Sequence, residues 1–130
     1  MGMYTELHYN VALKQPVPDE VVTLLRYMLG DIEEVEEVPF HRLFATSRWD
    51  YMLRCDSYYF DADTNSTLRY DDIHGGYYLC IRCNLKNYDD EIKLFIDWVS
   101  PYVDALPGDF LGFFRYEESL EPTLIHHKED

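Results

Sequence analysis

Basic residues are scarce in this chain: 11 lysines and arginines face 25 aspartates and glutamates across 130 residues, a formal net charge of −14. A surface that grips phosphates needs clustered Lys and Arg, so direct nucleic-acid binding is not expected. Cysteine is also scarce and odd in number, with Cys55, Cys80 and Cys83. The first residues, MGMYTELHYN, have neither the basic nor the apolar region of a signal peptide. Together these features argue against a secreted disulfide scaffold and for a reduced, cytoplasmic protein. Glu6 stands where a myristoylation signal needs Ser or Thr. No apolar run approaches the roughly 20 residues of a membrane span. P-loop, GxGxxG, GxSxG, HxxxH and HExxH patterns are all missing, which removes the usual phosphate cradles and the zinc-hydrolase signature.

What is present is apolar and aromatic. Hydrophobic residues make up 47% of the chain, too many for a disordered acidic tail. Residues 4–14 alternate, with Thr5, Leu7, Tyr9, Val11 and Leu13 on one face, which is the period of a half-buried strand. Pro16 and Pro18 end it. Residues 18–29 read as a helix with Asp19 and Glu20 in its first turn and Gly30 as its C-terminal cap. The stretch 31–37, DIEEVEE, holds five acids and no base and reads as a solvated ridge. Residues 39–50 read as irregular or a single turn. Strands are expected at 49–54, 57–61, 67–71 and 77–86, with turns at DADTNS (61–66) and DIHGG (72–76). Asn87 and Asp89 are cap candidates for a second helix, in which Ile92, Phe95, Ile96, Val99 and Val103 share a face and Pro101 bends the last turns. Strands at 110–117 and 123–127 close the chain, the latter an exposed edge able to pair two copies as a dimer. The expectation is one α+β domain over residues 1–130. It has an antiparallel sheet of five to seven strands and two helices on one face, in a ferredoxin-like or related split β-α-β arrangement.

Few constellations carry chemistry. Cys80 and Cys83 have CxxC spacing, but inside a strand positions i and i+3 point to opposite faces, so at least one reads as a small core residue. His8, His41, His74, His126 and His127 are scattered. Asp61, Asp63, Asp71, Asp72 and His74 sit in neighbouring turns and offer the sole candidate for a hard cation, the basis of a weak metal-dependent enzyme reading. No catalytic residue, resident metal or cofactor is assigned. The 12 tyrosines, 7 phenylalanines and 2 tryptophans suit either cross-strand packing or a binding surface.

The order NYDDEIKLFIDWVSPYVDA at 87–105 and FRYEESLEPTLI at 114–125, with RWDYML at 48–53 and the tyrosine pair Tyr58 and Tyr59, resembles a group of small bacterial and phage-like proteins. They share the pattern LKNYDxEIxxFIxWxxPY followed by YEExxxPTL. The resemblance covers most of the chain after about residue 40. It implies one intact domain of a kind borne by mobile elements and brings no activity with it.

Two functional readings follow. The first is a non-enzymatic interaction protein that binds a basic partner protein, as an inhibitor, nucleic-acid mimic or immunity protein would, through Asp31, Glu33, Glu34, Glu36, Glu37, Tyr58, Tyr59, Glu117 and Glu118. The alternative is a small-molecule or nucleotide binder that stacks a ring on Trp49, Trp98, Tyr102 or Tyr116 and holds an anionic group with Arg48, Arg54 or Arg115.

Overall fold

A computed structural model describes residues 3–58, 60 and 63–128. The central strand, β1 (Thr5–Ala12), buries Thr5, Leu7, Tyr9 and Val11 and turns Glu6, His8, Asn10 and Ala12 the other way, as its alternation predicts. It pairs antiparallel with β3 (Tyr77–Leu85) on one side and β4 (Phe110–Tyr116) on the other. Outside these lie β2 (Thr67–Tyr70), joined to β3 by the expected turn, and β5 (Thr123–His126), antiparallel to β4. The order is β2-β3-β1-β4-β5. With helix α1 (Asp19–Leu29) after β1 and helix α2 (Glu91–Val99) after β3, this is the α+β split arrangement, extended by one edge strand.

Both helices cover the Tyr9 face. α1 buries Val21, Leu24, Leu25 and Met28, and α2 buries Ile92, Phe95, Trp98 and Val99, all in one apolar core with Leu7, Tyr9 and Ile81. α1 ends as Gly30 predicts. The glycine takes φ +83°, its N–H reaches Tyr27 O at 3.1 Å, and the Asp31 N–H reaches Arg26 O at 2.8 Å. Before α2, Asn87 accepts the Ile92 N–H at 2.9 Å. Asp89 caps nothing; its side chain lies 3.8 Å from Arg48. α2 gives way at Pro101 to a 3₁₀ turn over Ser100–Tyr102. No helix among the described residues is long and apolar enough to cross a membrane.

The strands expected at 49–54 and 57–61 do not form. Met52–Arg54 is a 3₁₀ turn, and residues 55–58 and 60 carry no strand. The reason lies in Met52 and Leu53, adjacent in sequence and both fully buried. A strand sends neighbours to opposite faces, whereas a tight turn can point both inward. This turn packs on α1 and β3, and a second one at Arg42–Ala45 packs on α2, so the 42–54 segment wedges into the helix layer.

Two side-chain substitutions test the packing. A Cβ at Gly112 would collide with the His8 carbonyl oxygen and stand 2.9 Å from Tyr9 Cα, so neither neighbour can yield without parting β1 from β4. Gly112→Ala should cost at least ~3 kcal/mol and lower Tm by about 10 °C or more in a thermal melt followed by circular dichroism. Tyr9 poses the opposite case. Its hydroxyl is buried and has no hydrogen-bond partner, and burial pushes its pKa well above the ordinary tyrosine value. Tyr9→Phe should therefore raise stability by about 1 kcal/mol in a urea titration. Only an unfolded Tyr9 ionises readily, so stability present below pH ~10 is lost as pH rises beyond it, and the variant should blunt that alkaline loss.

Candidate functional site

The acidic stretch after α1 is not an isolated ridge. The left-handed turn at Gly30 reverses the chain, and Val35 tucks against the core, which leaves Glu34, Glu36 and Glu37 exposed beside α1. Opposite them the periodicity of α1 lines up Glu20, Val21, Thr23 and Leu24, while Trp98 of α2 and Tyr102 of the following turn form the far side. These elements enclose a groove of about 510 Å³ with an apolar floor of Val21, Leu24, Val35, Trp98 and Tyr102. Four glutamates stand on its walls, and no lysine or arginine lines it. Val38 and Pro39 form the lip, and next to them Phe40 projects fully into solvent.

The floor is held from behind. Phe44 meets Trp98 edge-on at 5.3 Å and Trp49 at 4.8 Å, and Trp49 in turn meets Tyr27 at 5.6 Å. Tyr102 is fixed through its carbonyl, which accepts the Lys14 N–H at 2.8 Å. The groove is thus an apolar slot backed by packed rings and bordered by an acidic rim.

The expected site residues divide. Glu34, Glu36 and Glu37 share the groove with Trp98 and Tyr102, two sets that the sequence assigned to different readings. Asp31 is drawn aside to Arg26 at 3.2 Å, and Glu33 is exposed without lining the groove. Tyr58 is fully exposed in the loop after residue 55, and Tyr59 lies outside the described residues. Glu117 accepts the Tyr4 N–H at 2.9 Å where β4 ends beside β1, with Glu118 exposed next to it, so neither joins the groove. Glu20 and Val38 belong to the groove and were missed. The signal for Glu20 was its place on the solvent face of an amphipathic helix.

The arginines are engaged within the fold. Arg48 lies 3.7 Å from the buried carboxylate of Glu91 and 5.3 Å from the Tyr88 ring. Arg54 donates to Met28 O at 3.2 Å and Asp50 O at 3.1 Å, closing the end of α1. Arg115 meets Glu6 at 3.0 Å and lies over the Phe60 ring. Trp49 is packed as described, and Tyr116 closes β4 partly exposed.

Reactive chemistry finds little support. No group of three His, Cys, Asp or Glu side chains that could hold a metal occurs among the described residues. Asp71 spends its carboxylate on the Ile73 and His74 N–H groups of its own turn, and these backbone bonds hold its pKa below the usual range; Asp61 lies outside the described residues. His41 accepts the Leu43 N–H on Nδ1 at 3.0 Å, so Nε2 carries the proton and donates it to Asp97 at 3.1 Å. That imidazole has no lone pair left for a base. Cys83 faces the core and Cys80 the other side of β3, where it is partly exposed. Burial pushes the thiols of Cys83 and Cys55 above the ordinary value, which suppresses the thiolate needed for redox or metal work. In a thiol-labelling time course near pH 8, Cys80 should react first and Cys83 should stay protected until denaturant is added. No protein-family model, curated protein or solved structure matches the chain, so the reading of the groove rests on its own chemistry.

Proposed function

We propose that the chain is a non-enzymatic binding protein whose groove receives a basic segment of a partner protein. The observation that carries this reading is the groove itself: four glutamates above a floor of Val21, Leu24, Trp98 and Tyr102, with no cation among them. Exposed carboxylates add little affinity one by one, since water and salt screen them. Their contribution is to speed encounter and reject acidic partners. Affinity comes from the floor, where the methylene stem of a lysine or an adjacent apolar side chain loses contact with water while the charged head stays at the rim. A cation seated over the face of the indole or phenol ring gains cation–π attraction. A partner that handles nucleic acid carries such basic segments on its working surface. Blocking that surface would make this protein an inhibitor, as an immunity protein is to a nuclease.

The test is fluorescence anisotropy with a labelled, lysine-rich peptide that carries one leucine. Reversing the rim with Glu34→Lys, Glu36→Lys and Glu37→Lys should weaken binding at least about tenfold, roughly 1.4 kcal/mol. Glu117→Lys with Glu118→Lys, distant from the groove, should change it less than about twofold. Binding by the wild type should also weaken as salt rises, because the rim is solvent-screened. Equal loss with both sets of reversals would mean that net charge alone attracts the peptide, and the groove would have no role.

A further inference from the structure

Along the edge of the groove the chain passes from acid through apolar to base. Glu34, Glu36 and Glu37 border the slot, Val38 and Pro39 form its lip, Phe40 stands fully exposed, and Arg42 follows, also exposed. Phe40 is not at a loose end. Pro39 fixes its own φ and holds Val38 extended. On the other side His41 is tied into the fold: Nδ1 accepts the Leu43 N–H at 3.0 Å, Nε2 meets Asp97 at 3.1 Å, and the ring packs edge-on to Phe44 at 6.4 Å. The backbone is thus restricted before Phe40 and tied down after it, and at most about 7 Å of chain separates the residue from Val38.

A single exposed apolar residue carries no meaning by itself, and Ile73, Leu106 and Leu120 are exposed without bordering the groove. Phe40 differs in its neighbour. Val38, 45% exposed, lines the groove, so the apolar floor continues outward over the lip towards the Phe40 ring. The charge beside this surface points to its occupant. A second copy would set the same glutamates against one another, and an acidic segment would be repelled by the rim. A basic segment is attracted, and its lysine stem covers the floor. The residue next to that lysine then crosses the lip, where the Phe40 ring is the apolar surface within reach. Arg42 beyond the ring disfavours a further lysine there, so the complement of this edge reads basic, then apolar.

We infer that Phe40 selects, among basic segments, those in which an apolar side chain follows the lysines. The inference rests on the groove being the receptor for a basic segment and adds a second contact outside it. The experiment compares two labelled peptides of equal charge by fluorescence anisotropy: a run of lysines ended by leucine, and the same run ended by serine. The wild type should bind the leucine peptide about tenfold more tightly. Phe40→Ala should cut that preference to less than about threefold by weakening the leucine peptide alone. Its circular dichroism should stay native, because the ring is fully exposed. A preference for leucine that survives Phe40→Ala would put the leucine on the floor and overturn the inference, as would equal loss for both peptides. In either case, weakening of both peptides by Glu34→Lys, Glu36→Lys and Glu37→Lys together would leave the groove standing. Peptides indifferent to that reversal, or unbound by the wild type, would overturn the groove and the inference with it. A wild-type dimer in analytical ultracentrifugation that Phe40→Ala dissolves would give the ring to a second copy and overturn the selection as well.

Discussion

Ring contacts run unbroken from the centre of the sheet to the outside of the helix layer. Tyr9 on β1 meets Phe95 at 6.3 Å, Phe95 meets Trp98 at 6.1 Å, and the series continues through Phe44 and Trp49 to Tyr27 on α1. Each such pair is worth about 0.5–1.5 kcal/mol beyond the area it buries. Its structural consequence is larger than its energy. The series ties β1, α2, the 42–54 segment and α1 together in that order, so the helices are held apart by a wedge of side chains. The gap between α1 and α2 is where the groove opens, with Trp98 both a member of the series and part of the floor. Tightening the helix layer by removing the wedge would close the groove, and loosening it would free the indole.

The parts of this arrangement that are legible in the sequence are those set by local periodicity. The alternation of 4–14, the spacing of Val21, Leu24, Leu25 and Met28, and the glycine after Leu29 each determine a face or an end without reference to anything distant. The wedge is different. Residues 49–54 are rich in Trp, Tyr and Leu, the composition of a strand, yet Met52 and Leu53 must both point inward to fill the space between α1 and β3. That demand comes from tertiary packing, which overrides intrinsic preference where the two disagree. The candidate site suffered in the same way. The acids of 31–37 and the ring of Trp98 are some sixty residues apart and were read as separate features, because only the folded reversal after Gly30 brings them to one slot.

Charge, too, changes meaning once it is placed. A net of −14 is a single number in the sequence. In the fold, Asp31, Glu6 and Asp97 have ion-pair partners, Asp71 closes a turn, and Glu91 is buried beside Arg48. The carboxylates at the groove rim have no basic side chain in their slot. Rim charge and apolar floor act on different steps of recognition, the first on encounter and selection, the second on residence. A partner with positive charge alone would arrive quickly and leave quickly. One that adds an apolar side chain beside the lysine would stay.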